Sequence, residues 1–288
     1  MDLPKVINSA YIFKQHGDNL KHKIKHVTSL TILTVLIAVA SLAIPVQAIT
    51  NGQPDAGRHP YVVFIVADNA NGPAWRGTGI LLNSRVVLTA GHVTDGAVAT
   101  RIWIAESVEG NPEYPRSGTT SYDGTPHTHP NFAIGNFPGL PGWITHDVGI
   151  IVLTEPAPVV SKYGQLPSED LTETLPIMTD IDLVGYGVQV NLRGGGKPVW
   201  TGLKNRLYAP ADLLSTQSVI SDEFITCSAN PAQGKGSTAF GDSGGPALLG
   251  GTDTVLAVTS FGSNNTGAKS SPSWSQNATF KSSKTYES

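Results

Sequence analysis

From Ile49 onward no stretch of this chain sustains a helical periodicity. Its apolar residues come in short β-branched runs broken by glycine and proline. That punctuation is the tightest constraint on the fold, because a helix needs ten or more residues of recurring apolar positions and a strand needs only four to eight. Residues 61–66, 85–89, 148–153 and 181–186 are runs of that shorter kind and predict strands. The run 148–153 contains no polar residue, which predicts a strand buried on both faces. Residues 76–84 read as strand and turn, 100–105 as an alternating strand with Trp103, and 248–261 as strand, turn, strand. The 31 glycines and 20 prolines supply the turns, one of them expected over residues 68–73. Residues 106–141 read as loop, 191–197 as a surface loop, and 213–220 fits a short helix or a strand. The expected class is all-β.

The segment before Ile49 has a different character. Lys21, Lys23 and Lys25 precede an apolar run from Val27 to Ile44, and Val46-Gln47-Ala48 follows. Basic flank, apolar run and small-x-Ala predict a secretory signal peptide over residues 1–48. The run is short for a membrane span of about 20 residues, so membrane association is expected only if the segment stays uncleaved. Cleavage after Ala48 leaves 14 basic and 20 acidic residues, a net charge of −6. That balance gives no reason to expect a nucleic acid partner. Cys227 is the single cysteine, so no intrachain disulfide can form and packing must hold the fold.

Three stretches carry chemistry. Gly241-Asp242-Ser243-Gly244-Gly245-Pro246 sets a serine among glycines, where backbone can approach a ligand and two N–H groups can point to one place. Alone, such a cluster is a turn. Leu88-Thr89-Ala90-Gly91-His92-Val93 follows an apolar strand, and alone His92 reads as a core or loop histidine. His146-Asp147 opens the run 148–153, where Asp147 alone reads as a solvated strand end. His146 is a rival base, but a strand would turn its side chain away from that of Asp147. The serine also satisfies Gly-x-Ser-x-Gly, the elbow of α/β-hydrolases, which place their histidine after the serine. Every histidine here precedes Ser243, which excludes that fold. His127 and His129 stand two apart without a nearby cysteine or carboxylate cluster, a weak basis for a metal site; no metal or cofactor is expected.

In chain order and surroundings, His92, Asp147 and Ser243 resemble the trypsin/chymotrypsin-like serine peptidase family over about residues 49–262. The missing disulfides suggest a bacterial or archaeal member; one such bridge normally flanks the histidine, where Val93 stands here. The resemblance implies two antiparallel six-stranded β-barrels with the active site in the cleft between them. Residues 49–156 would form the first barrel, 157–175 the linker, 176–262 the second barrel, and 263–288 a polar tail without the family's C-terminal helix. It implies Ser243 as nucleophile, His92 as base and Asp147 as its orienting partner. The N–H groups of Gly241 and Ser243 would form the oxyanion hole. A new amino terminus at Ile49 would pair with Asp242. Ser237 and Phe240 fall at the primary pocket, and Ser260-Phe261-Gly262 at the edge that pairs with substrate backbone. A neutral Ser237 points to an apolar or aromatic residue before the scissile bond. The implied protein is a secreted, monomeric serine endopeptidase, extracellular or periplasmic, acting on peptides or proteins. The alternative is a catalytically weak homologue that binds peptide or protein without cleaving it.

Overall fold

The computed structural model describes Ile49 and residues 52–135, 143–187, 190–192, 199–201, 204–216, 223–228, 233–263 and 274–279. The expected signal peptide lies outside the described residues, as does the centre of the expected loop 191–197. The strands are β1 (Gln53–Pro54), β2 (Val62–Asn69), β3 (Gly72–Leu81), β4 (Val86–Thr89), β5 (Ala99–Trp103), β6 (Tyr122–Thr128), β7 (Ala133–Gly135), β8 (Trp143–Thr145) and β9 (Gly149–Leu153). Then follow β10 (Asp180–Gly185), β11 (Val190–Leu192), β12 (Val199–Thr201), β13 (Leu207–Ser215), β14 (Phe224–Cys227), β15 (Pro246–Leu249), β16 (Val255–Ser263) and β17 (Trp274–Thr279). Helix among the described residues is confined to short turns such as Gly91–Thr94 and Leu171–Thr174.

Six strands close the first barrel in the order β2-β3-β4-β9-β6-β5. Val63, Ile65, Leu81, Val87, Ile102 and Ile151 fill it, each with no accessible surface. In the second sheet the order is β1-β13-β10-β15-β16-β17-β14, and a β13–β14 ladder brings it back on itself. Its core includes Ile49, Ile181, Leu183, Leu213, Ile225 and Leu256. The fold is all-β, as the punctuation predicts.

The barrels share apolar and polar contacts. Tyr186, just past β10, stacks edge-on against Phe64 of β2 at 5.5 Å. Arg206 Nε lies 2.8 Å from Asp55 Oδ2, and its guanidinium donates to the Val62 carbonyl at 3.0 Å. Both charged groups are buried, so the pair must satisfy itself; an unpaired charge at that depth would cost several kcal/mol.

The structure departs from the expectations where ladders override local composition. Residues 68–73 are largely strand: Asn69 pairs with Gly72, leaving only Ala70-Asn71 as the loop. β6 crosses the stretch expected to be loop. It carries Gly124 and Pro126, yet pairs with β5 and β9. The β5 ladder stops at Gly124, so the missing N–H of Pro126 breaks nothing on that side. β9 is not buried on both faces: Ile151 and Leu153 point inward, while Ile150 and Val152 are each 38% exposed. The ambiguous 213–220 begins as the end of β13. The expected tail also contributes structure. β16 continues to Ser263, and β17 pairs with both β16 and β14, so the second barrel extends past residue 262. β17 reads Trp-Ser-Gln-Asn-Ala-Thr, with no apolar alternation to announce it.

Candidate active site

β4 ends at Thr89, and the chain turns through Ala90 into the helical turn Gly91–Thr94 that carries His92. Gly91 is a point of close approach: a Cβ there would stand 3.2 Å from Asp147 Oδ1 and 2.8 Å from the Phe132 ring. Asp147 is presented by a tight reversal in which the Val148 N–H donates to the His146 carbonyl at 2.7 Å, with His146 at φ +48°. The Asp147 carboxylate then accepts three hydrogen bonds. The His92 backbone N–H donates to Oδ1 at 2.7 Å, His92 Nδ1 lies 2.8 Å from Oδ2, and the Ser260 hydroxyl donates to Oδ2.

Asp147 is completely buried. Burial alone pushes its carboxyl up, but the bonds from the His92 ring, Ser260 and the His92 N–H outweigh it and hold the group below the ordinary carboxylate range. An ionised acceptor at Nδ1 keeps the proton on that nitrogen and leaves Nε2 as the basic one. His146, the rival base, faces elsewhere. Its Nδ1 is 3.3 Å from Glu223 Oε1 and its ring stacks on His129 at 5.0 Å. The left-handed backbone, not strand alternation, turns it away.

The serine loop is held from both barrels. The Thr78 N–H of β3 donates to the Ser243 carbonyl at 2.8 Å, and the Thr78 hydroxyl donates to the Gly241 carbonyl at 2.8 Å. Gly241 and Gly244 have φ of +100° and +81°, a region that disfavours side chains. The N–H groups of Asp242, Gly244 and Gly245 donate to Ala239, Thr259 and Asp242 carbonyls. Those of Gly241 and Ser243 donate to no described acceptor. Two free donors therefore flank the serine, the arrangement that stabilises a developing oxyanion. The Ser243 hydroxyl makes no described hydrogen bond. It shares with His92 a cleft of about 420 Å³, also lined by Trp75, Arg76, Val93, Phe240 and Gly241. Serine–histidine contacts commonly tighten only when substrate binds.

The Trypsin family profile matches residues 49–282. This chain belongs to the trypsin family. Two Drosophila melanogaster relatives, Serine protease 1 and Serine protease 2, are each 30% identical over 224 residues, covering 75% of this chain and 76% of each relative. Among solved structures, HL collagenase aligns with a TM-score of 0.56 over 77% of this chain and 90% of its own. At 19% identity that likeness speaks to the fold alone.

In this trypsin-family chain, whose single cysteine is the buried Cys227, packing fills the place beside the histidine. A Cβ on Gly77 would meet both Val93 methyls at 3.0 Å, so the valine occupies the space opposite the glycine. Asp242 is completely buried, with its oxygens accepting the N–H groups of Gly187 and Ala239 at 2.7 Å each. Burial pushes its carboxyl up to about 7, against those two bonds and the field of Arg76. Ile49 is buried in the second barrel's core.

The outer positions divide. Phe240 is 71% exposed at the cleft rim, whereas Ser237 is 2% exposed and does not line the cleft. Ser260 spends its hydroxyl on Asp147, a role that residue order gave no sign of. Phe261 and Gly262 pair with Gln276 and Ser275 of β17 on one side. On the other, β15 leaves β16 at Val258, so the backbone there is an open edge among the described residues. Thr78, Gly91 and Arg76 were not foreseeable, because their roles depend on neighbours distant in sequence. Among the described residues no three metal-ligating side chains gather in one place.

Proposed function

We propose that this protein is a serine endopeptidase that hydrolyses peptide bonds through His92, Asp147 and Ser243. The observation that carries the reading is the pair of uncommitted N–H groups at Gly241 and Ser243 beside a histidine already locked by Asp147. Ser243 Oγ attacks the scissile carbonyl as His92 Nε2 takes its proton. The carbonyl oxygen becomes an oxyanion accepting from the two N–H groups. His92 returns the proton to the leaving amine, and an acyl-enzyme remains. Water repeats the sequence and restores the serine. The open side of β16 at residues 260–262 receives the acyl half of the substrate as an added strand.

We further propose export by the 1–48 signal peptide to an extracellular or periplasmic site, where the protein acts as a monomer. Signal cleavage itself frees the Ile49 amine to pair with Asp242. The burial of Ile49 in the second barrel and of Asp242 without an ion pair supports this. Intact-mass measurement of the secreted chain decides it: a first residue other than Ile49 rejects the pairing.

The activity is tested with a fluorophosphonate probe and peptide mapping. Label confined to Ser243 and abolished by His92→Ala is the expected result. A folded chain starting at Ile49 that takes no label would reject the hydrolase and favour a peptide-binding homologue.

A further inference from the structure

Arg76 lines the cleft that holds His92 and Ser243, yet its guanidinium forms no hydrogen bond or ion pair among the described residues. Several cations of the barrels are engaged: Arg206 with Asp55, Lys204 with Glu109, Arg101 with Asp68. Arg76 is half-buried on β3, next to Trp75, whose indole N–H donates to the Val93 carbonyl at 2.9 Å. That bond anchors the strand beside the histidine turn. A second hollow of about 320 Å³ shares Trp75 and Arg76 and continues to Tyr114 and Pro115. No acidic residue lines either hollow. The groove thus runs from the serine past an unpaired guanidinium to an aromatic wall.

The groove lies on the leaving-group side. Its walls are β3, the histidine turn and the serine loop, and no residue of β16 lines it. The open edge of β16 takes the acyl half, so the half beyond the scissile bond must cross Arg76. An extended peptide advances about 3.3 Å per residue, which puts the first two leaving-group residues within reach of a long arginine side chain.

We propose that Arg76 selects substrates carrying an aspartate or glutamate within two residues beyond the scissile bond. The inference rests on the peptidase reading and adds to it a substrate class. A carboxylate supplies what the cleft lacks: a planar anionic acceptor for a guanidinium that already sits there without one.

The test uses the protein recovered from a secreting host. Its cleavage sites in a mixed peptide library are mapped first. Matched peptides are then made with Glu, Gln or Lys at each of the first two leaving-group positions, and kcat/KM is measured for each. At one of those positions Glu should exceed Gln by roughly fivefold, the scale of a partly exposed ion pair. The preference should shrink at 1 M salt. Arg76→Gln should abolish it, and Arg76→Glu should invert it in favour of Lys. Equal rates for Glu and Gln in the wild type would overturn the proposal. So would an equal loss on every peptide in Arg76→Gln, because that marks a structural role toward Gly241 and Asp242. Label on Ser243 with no peptide cleaved overturns the recognition alone; no label and no cleavage overturns the peptidase reading with it.

Discussion

The Asp242 carboxyl gives the proposed maturation a thermodynamic signature. Completely buried, with two N–H donors and the field of Arg76, it keeps its proton up to a pH of about 7, whereas its ordinary value is 3.8. Between those values the folded chain binds a proton that the unfolded chain has released. Its stability therefore falls as pH rises from about 4 to about 7. A shift of about three units corresponds to about 4 kcal/mol. That is a large share of the 5–15 kcal/mol typical of a domain. Pairing with the Ile49 amine reverses the sign. The folded value drops below the unfolded one, and the contribution is present above pH 4 and lost only in acid.

Two forms of the protein expose the difference, one beginning at Ile49 and one retaining Val46-Gln47-Ala48. Each is compared with its Asp242→Asn variant by urea unfolding at pH 4.5 and pH 7.5, so that every other titrating group cancels. In the extended form the wild type should lose roughly 3–4 kcal/mol against the variant over that interval. In the form beginning at Ile49 the wild type should gain or hold. A difference between wild type and variant that is the same in both forms would refute the reasoning, because it would show that the amine never reaches the carboxylate.

Other consequences follow from the same contacts. Ser260→Ala removes one of three hydrogen bonds to Asp147, and kcat should fall about tenfold, the equivalent of about 1.4 kcal/mol; an unchanged kcat would make that hydroxyl structural. Asp55 is held at about 2, with burial outweighed by His59 and Arg206, so its contribution of about 2 kcal/mol should be present above pH 4 and vanish as pH falls to 2. Asp55→Ala should cost about 3–5 kcal/mol at neutral pH and erase that acid dependence in urea melts. The double substitution Gly77→Cys, Val93→Cys should form a disulfide, since the two positions face each other, once the Ser243 carbonyl 3.0 Å from the new Cβ yields slightly. Its Tm should drop on reduction, by an amount matching about 3 kcal/mol for a loop of this length.

What could be read directly from the chain was whatever is written in adjacent residues. The serine hexapeptide, the strand leading to Thr-Ala-Gly-His and the apolar run after Asp147 each declare themselves locally, and their order excludes the rival hydrolase fold. What stayed hidden is written across the fold. β6 is a polar segment that becomes a strand because neighbours on both sides offer ladders, and β17, for which the family resemblance offered only Pro272-Ser273-Trp274 as a candidate strand, runs on through Thr279 for the same reason. β9 looks doubly buried until closure of the barrel turns Ile150 and Val152 outward. The site's geometry has the same character. Gly91 matters because a Cβ there would crowd the Phe132 ring and Asp147, and Gly77 because one there would crowd Val93 and the Ser243 carbonyl. Thr78 joins the barrels through one N–H and one hydroxyl, and a threonine carries no sign of that. An absence of side chain, or of a partner, acquires meaning only against the neighbours that folding supplies. That is why the residues expected to do the chemistry were legible, and the residues that bring them together, with Arg76 beside them, were not.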